Sequence, residues 1–271
     1  MRIASIGVVA LVACALTLPA SAREPDPGPL VTDRPDVTES SKTVPRGYVQ
    51  IEAGYNFARF DDGPDTVEVS TFPTTLLRVG LTPEVELRFE WVGYVSESRE
   101  TGGVRVDTLG SGNTALGAKI KLRDERGAAP DLALLIDAIV PTGSLGIRTE
   151  RIDPAARLLG SNTLTDRLAL GYNLGIAALT IEDAGGGYTT ETLGRYSVSL
   201  AIGIVEKWGS FAEFFGFVPL SGSEPSRNLF DAGFTYLASD SVQLDFSGGV
   251  GLNEAADDWF VAAGFSIRLP R

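Results

Sequence analysis

Apolar and polar residues alternate along most of this chain, and residues 85–94 show the pattern most clearly. The segment reads V-E-L-R-F-E-W-V-G-Y, so that Val85 and Leu87 share one face of an extended strand while Glu86 and Arg88 share the other. A period of two indicates a β-strand with one apolar and one polar face. The pattern recurs about a dozen times along the chain, which favours a transmembrane β-barrel over a soluble sandwich.

Strand-like runs follow one another from Gly47 onward, each close to the length of about ten residues that a tilted strand needs to cross a bilayer. The sequence therefore predicts an all-β fold, a transmembrane antiparallel up-and-down β-barrel of about 12 strands. The predicted strands cover 47–60, 66–80, 85–95, 112–122, 131–141, 154–162, 166–180, 190–204, 209–218, 227–237, 241–252 and 259–269.

The predicted connections support the barrel, because short and long connections alternate along the chain. Outer-membrane barrels have short periplasmic turns and longer outer loops. The short connections are predicted at 82–84, 163–165, 206–208 and 238–240. Outer loops, richer in Gly and acidic residues, are predicted at 96–111, 142–153, 181–189 and 219–226.

The first residues have the features of a secretory signal peptide. Arg2 supplies a positive start, residues 3–18 are apolar, and Ala20-Ser21-Ala22 matches the pattern of a cleavage site. Cys14 ends a lipobox-like segment, and its lipidation is the alternative interpretation. The predicted organisation is a signal peptide at 1–22, an extended Pro-rich segment at 23–46 and an outer-membrane barrel at 47–271.

Charge and composition narrow the possible chemistry. The formal net charge of -12 argues against nucleic-acid binding, which needs a basic surface. The chain contains no histidine, so Ser-His catalytic pairs and His-based metal sites are ruled out. Cys14 is the only cysteine, so the exported chain is expected to have no disulfide. We therefore expect no catalytic residue, no cofactor and no metal site.

The polar faces of the predicted strands would line the lumen of the barrel, with seven acidic and seven basic residues. Because a confined charge needs a partner, this balance predicts that many of them pair. Twelve strands also enclose less space than the 16–18 of general porins, which argues against an open general pore. The predicted lumen residues are Glu52, Arg78, Glu86, Arg88, Glu90, Lys119, Lys121, Asp137, Arg167, Arg195, Glu213, Asp231, Asp245 and Arg268.

Three phenylalanines complicate the predicted faces of one strand. Phe211, Phe215 and Phe217 fall on the same side as Glu213. Two interpretations remain open, an aromatic patch inside the lumen or a strand whose faces are assigned the wrong way round.

Several motifs resemble those of a known family. The segment T-D-R-P-D-V-T-E-S at 32–40, followed by T-V-P-R-G at 43–47 and Q-I-E-A-G-Y at 50–55, resembles the opening of the outer-membrane proteins grouped as "MetA-pathway of phenol degradation". The resemblance implies an outer-membrane barrel with a transport role near aromatic degradation. Further similarity lies at 110–113, 116–119, 141–143, 213–216, 244–245 and 256–260.

The N-terminal motif is the sharpest local feature, and its charged or conformationally fixed residues are Asp33, Arg34, Pro35, Asp36 and Glu39. One hypothesis places it in the periplasmic mouth of the barrel. There Arg34 and Glu39 would meet lumen charges such as Glu52 or Arg88. The alternative is a structural cap that takes no part in handling a substrate.

The function predicted from these features is a transporter or selective channel for small compounds, aromatic or hydrophobic ones among them. A structural barrel with a filled lumen and no transport is the alternative, and a soluble periplasmic sandwich or lipocalin-like binding protein is a third candidate. The expected partners are outer-membrane lipid, the barrel-assembly machinery and small-molecule solutes, without nucleic acid.

Overall fold

The fold is a single antiparallel sheet that closes on itself. The computed structural model describes residues 27–182, 186–222 and 224–270, so the predicted signal peptide at 1–22, with Cys14, lies outside the described residues. Closure follows because the first strand pairs with both the second and the last. The strands are β1 (Tyr48–Asp62), β2 (Asp65–Gly80), β3 (Val85–Trp91), β4 (Tyr94–Thr101), β5 (Val104–Ser111), β6 (Thr114–Arg123), β7 (Asp131–Val140), β8 (Asp153–Thr165), β9 (Leu168–Glu182), β10 (Tyr188–Val205), β11 (Trp208–Pro219), β12 (Arg227–Ser239), β13 (Val242–Gly251) and β14 (Trp259–Pro270).

These segments form twelve spanning strands, because β3 continues into β4 and β5 continues into β6. Each continuation is interrupted for two residues, at 92–93 and 112–113. Backbone hydrogen bonds bridge both interruptions, from Val92 N to Asn113 O (3.1 Å) and from Gly112 N to Gly93 O (2.7 Å). The predicted antiparallel barrel of about 12 strands is confirmed. Within the described residues, no helix is long and apolar enough to cross a membrane.

The outer connection predicted at 96–111 is not an irregular loop, because this segment forms the hairpin of β4 and β5. Its strands pair from Tyr94 opposite Ser111 to Thr101 opposite Val104. Gly102 and Gly103 occupy the two-residue turn with φ of 57° and 82°, a conformation that glycine adopts without steric cost. Acidic and polar residues made the segment resemble a loop, whereas its alternation and its Gly-Gly turn are those of a hairpin.

The predicted short turn at 163–165 is displaced by a few residues. Strand β8 continues to Thr165, and Asp166 and Arg167 form the turn before β9. Arg167 is exposed in this turn, at the mouth of the lumen instead of within a strand of its wall. Two-residue turns also join β10 to β11 and β12 to β13, which places these connections at the same end of the barrel.

Burial along the barrel is the reverse of that in a soluble protein. Inward-facing Arg78, Lys119 and Glu52 are 0–1 % exposed, whereas outward-facing Leu174 is 68 % exposed. Large apolar side chains left uncovered over a whole surface indicate contact with lipid. Other exposed outward-facing residues are Leu87, Leu116, Ile136, Leu158, Ile176, Val198, Phe214, Phe230, Phe234, Leu244, Phe246 and Phe265.

Aromatic pairs lie near both ends of the barrel wall. Trp208 packs on Tyr236 at the end with the short turns, with ring centroids 4.8 Å apart. Phe57 packs on Trp259 near the opposite end, at 5.1 Å. Such pairs at both ends match the aromatic girdles that mark the two membrane interfaces of outer-membrane barrels.

Candidate functional site

Residues 28–44 run through the interior of the barrel, and we call them the plug segment. In the part of the chain that the structure describes, recorded bonds join its residues to side chains of every barrel strand except β12 and the protruding hairpin of β4 and β5. A short segment can reach strands all the way round a closed barrel only from inside it. The plug segment therefore occupies the lumen, near the end that carries the short turns.

Asp33 is the centre of the contacts on one side of the plug segment. Its carboxylate accepts hydrogen bonds from Lys119 Nζ at 2.9 and 3.0 Å and from Arg88 Nη1, and it lies 3.3 Å from Arg78 Nη1. The backbone N–H of Ser40 donates to the same carboxylate at 2.9 Å. Asp33 is only 7 % exposed, so these cations compensate the charge that water would otherwise solvate.

Glu52 and Glu86 complete this buried network. Arg78 donates to Glu52 at 2.9 Å and to both oxygens of Glu86 at 2.9 and 3.0 Å. The backbone N–H groups of the plug segment join it, from Asp33 to Glu52 at 3.0 Å and from Val44 to Glu86 at 2.7 Å. We call residues 31–33 and 40–44 the anchored arm.

The electrostatics of the network keep Asp33 ionised. Burial by itself would raise the pKa of its carboxyl, but Arg78, Lys119 and Arg88 together hold that pKa far below its ordinary value. Glu39 behaves in the same way, since Arg157 and Arg88 outweigh the effect of burial and lower its pKa. Both carboxylates are thus charged partners of the barrel wall over the physiological pH range.

The opposite side of the plug segment, Val37 to Glu39, meets the wall formed by β8 to β11. The backbone N–H of Val37 donates to one oxygen of the Glu213 carboxylate at 2.7 Å. The Thr38 hydroxyl donates to the other oxygen and lies 2.7 Å from the Ser197 hydroxyl. Asn173 donates to the Glu39 carbonyl at 3.1 Å. The Glu39 carboxylate forms ion pairs with Arg157 at 2.6 Å and Arg88 at 2.9 Å. We call residues 37–39 the gate arm.

The gate arm separates two cavities. The outer one encloses about 20 Å³ and is lined by Val37, Arg157, Arg195, Phe215 and Phe217 among others. The inner one encloses about 580 Å³ between the plug segment and the short-turn ends of β8 to β13. Along β11, Phe217 and Phe215 line the outer cavity and Phe211 the inner one, with Glu213 between them at the level of the gate arm.

The structure places most of the predicted lumen residues on the inward face, although in different environments. Glu90 is inward but exposed, unlike the buried Glu86 and Arg88. Lys121 pairs with Asp124 at the short-turn end instead of across the lumen. The remaining inward residues are Glu52, Arg78, Lys119, Asp137, Arg195, Glu213, Asp231, Asp245 and Arg268.

The charged residues of the N-terminal motif find partners that differ in part from those predicted. Arg34 pairs with Asp245 at 3.0 Å, and Glu52 instead accepts from the backbone of Asp33. Glu39 meets Arg88, as the sequence suggests, and also Arg157. Arg157, Asn173 and Ser197 are absent from the predicted set, although their places in the alternating pattern of β8 to β10 put them on the inward face.

The phenylalanines on β11 form an aromatic patch inside the lumen, so the faces of this strand are assigned correctly. Phe215 packs edge-on against Phe217 and against Phe260 of β14, with centroids 6.3 and 6.1 Å apart. Val37 of the gate arm packs against the same cluster. The narrow part of the lumen is therefore bordered by aromatic as well as charged side chains.

Solved structures with the same architecture are outer-membrane barrels. An outer membrane channel from Pseudomonas putida F1 superposes with a TM-score of 0.66 at 13 % identity, over 84 % of this chain and 98 % of that one. The translocator domain of the autotransporter NalP from Neisseria meningitidis gives 0.57 at 14 % identity, over 82 % and 88 % of the two chains. The NanC porin gives 0.52 at 8 % identity, over 82 % of this chain and all of that one.

These likenesses, at low identity, show the fold. A search of curated protein sequences finds no match. A family model matches residues 32–269, from the plug segment through the last strand. The match covers nearly all of the described chain, so this protein belongs to the family described as "Putative MetA-pathway of phenol degradation".

Proposed function

We propose that this protein is a selective channel for small solutes, aromatic and hydrophobic compounds among them, and that its gate arm controls passage. The observation that carries the proposal is the position of residues 37–39 between two cavities of the same lumen. The family description and the channel-like fold are consistent with this role.

The size of the outer cavity supports control of passage over free diffusion. About 20 Å³ holds little more than one water molecule, whereas the inner cavity of about 580 Å³ has room for a small organic solute. Passage therefore requires displacement of the gate arm.

The two arms of the plug segment differ in the strength of their attachment. The anchored arm is held by Asp33 within a network of buried cations, where loss of one charge is costly. The gate arm is held by the hydrogen bonds of Val37 and Thr38 to Glu213, by the contacts of Thr38 with Ser197 and of Asn173 with the Glu39 carbonyl, and by the ion pairs of Glu39. We infer that the gate arm moves while the anchored arm stays in place.

A reversible disulfide tests this division. Thr38 Oγ1 and Ser197 Oγ lie 2.7 Å apart, and residues 23–271 contain no cysteine, so the pair Thr38→Cys and Ser197→Cys introduces one defined crosslink. The matched control joins the anchored arm to the wall through Ser41→Cys and Ser161→Cys, whose hydroxyls lie 2.8 Å apart. Both variants are refolded into liposomes, and the entry of phenol-like aromatics, aromatic acids and sugars of similar size is measured before and after reduction.

We expect oxidation of the 38–197 pair to block solute entry, reduction to restore it, and the 41–161 crosslink to leave it unchanged. Equal entry in both redox states of the 38–197 variant would refute gating by residues 37–39. No entry in any form, with the barrel shown to be folded by heat-dependent gel mobility, would favour the alternative of a structural barrel with a filled lumen.

A further inference from the structure

Two inward-facing arginines at the outer end of the lumen differ from the arginines deeper in the lumen. Arg78, Arg88 and Arg157 each form ion pairs with carboxylates. Arg195 and Arg227 have no acidic partner within 4.0 Å in the described ranges 27–182, 186–222 and 224–270. Asp257, in the loop after β13, influences Arg227 electrostatically from a greater distance.

Both arginines contact one aromatic ring. Arg195 of β10 and Arg227 of β12 are the register partners of Phe217 on either side of it in the sheet. Their guanidinium carbons lie 5.3 and 5.0 Å from the centroid of the Phe217 ring. Cation–π contact holds each guanidinium beside the ring but leaves its N–H groups available to an anion.

The ring belongs to the aromatic patch of Phe215, Phe217 and Phe260. The sheet makes room for this patch, since any side chain at Gly249 would collide with the ring of Phe260. This aromatic patch lies among charged inward-facing residues. Because it faces the lumen, contact with lipid does not account for it.

We propose that Arg195, Phe217 and Arg227 form a binding site for small aromatic carboxylates at the outer side of the gate arm. A carboxylate pairs with the planar fork of a guanidinium through two parallel hydrogen bonds. The ring of the same molecule then packs in an offset or edge-on arrangement on Phe217, which is half-buried. The site deepens the proposed channel function, because it lies on the outer approach to residues 37–39.

Direct binding tests the site without requiring transport. The exported chain, residues 23–271, is refolded in detergent, and calorimetry at low ionic strength compares three probes. Benzoate carries both features, benzyl alcohol has the ring without the charge, and cyclohexanecarboxylate has the charge without the aromatic ring. We expect benzoate to bind roughly tenfold more tightly than either of the others. Equal binding of all three, or no benzoate binding, would overturn the proposal with no variant needed.

Three variants locate the site. Arg195→Gln and Arg227→Gln remove one charge each, and each is expected to weaken benzoate binding roughly tenfold while leaving benzyl alcohol unchanged. Arg105→Gln is the matched control, because it removes an exposed arginine from the outer hairpin, where its partner is Asp107 at 3.0 Å. An equal loss in Arg105→Gln would mean that benzoate responds only to overall charge, which would also overturn the proposal.

The outcome is separable from that of the channel proposal. The site lies outside the gate arm, so the oxidised 38–197 crosslink should still bind benzoate. Binding without solute entry would leave the site standing and remove the channel. Solute entry without preferential benzoate binding would leave the channel standing and remove the site.

Discussion

The replacement Asp33→Asn is the most direct test of how the plug segment is held. The variant keeps the size of the side chain but removes the charge that Arg88, Lys119 and Arg78 share. Removing one partner of a buried ion pair costs about 3–5 kcal/mol, because the remaining charge stays buried without compensation. Release of the segment lets water reach these cations, so we expect the free energy that holds the docked segment to fall by an amount near the lower end of this range. That loss corresponds to a roughly 100-fold lower ratio of docked to released segment.

Labelling of one buried cysteine measures this ratio. Ser41 is 1 % exposed, so Ser41→Cys reacts with a maleimide only when the anchored arm leaves the wall, and the labelling rate follows the released population. We expect Asp33→Asn to raise the labelling rate of the Ser41→Cys protein roughly 100-fold. The control Arg105→Gln removes an ion pair to Asp107 on the outer hairpin, in which the two side chains are 58 % and 67 % exposed. Such pairs contribute about 0–1 kcal/mol, so labelling should change by less than about fivefold.

Heat-dependent gel mobility checks that the barrel itself remains folded in each variant. An unchanged labelling rate in a folded Asp33→Asn barrel would refute the reasoning, since the anchored arm would then be held by packing and not by charge. Equal acceleration by Arg105→Gln would refute it too.

Two further predictions concern Asp36, which directly precedes the gate arm, and the lipid-facing surface. Burial within the lumen and the nearby Glu213 raise the pKa of Asp36 well above its ordinary value, so the docked segment holds a proton that a released one gives up. Docking should therefore weaken as pH rises from about 4. Solute entry should be faster at pH 8 than at pH 5, and Asp36→Asn should reduce the difference. The other acidic groups nearby are Asp33, Glu213 and Asp231. A pH dependence unchanged in Asp36→Asn would exclude the Asp36 carboxyl as its source. Leu174→Arg places a charge on the lipid face and should lower the free energy of unfolding, measured by urea titration in bilayers, by about 2–4 kcal/mol. The control Val104→Arg, on the outer hairpin, should change it by less than about 1 kcal/mol. Equal effects would show that Leu174 does not face lipid.

The barrel was predictable because it depends on local alternation. In β13, Gln243, Asp245 and Ser247 face inward, while Leu244 and Phe246 face outward, as the sequence alone indicates. The hairpin of β4 and β5 escaped prediction for a local reason as well. Its outward extension places its residues in solvent, so polar composition masked a regular pairing whose turn at Gly102 and Gly103 is visible in the sequence.

The partners inside the lumen were not predictable in the same way. Glu39 and Arg157 are 118 residues apart in the chain, and Arg34 and Asp245 are 211 apart. Which charges meet depends on the depth to which the plug segment enters the barrel and on the register of every strand between them. Counting charges on the strands also gave a neutral lumen, whereas the main counter-ion of Lys119 and Arg88 is Asp33 of the plug segment.

The final strand has a consequence for how the barrel is assembled. Strand β14 both closes the sheet against β1 and carries Arg268, which donates hydrogen bonds to the carbonyls of Pro29 and Gly28 at the start of the plug segment. Leu30 N also donates to Asp240 O, in the turn before β13, at 2.9 Å. The start of the plug segment is thus held by the last strand and by the turn before β13. A sheet without β13 and β14 lacks this attachment, so the start of the plug segment acquires these contacts only when the barrel is complete.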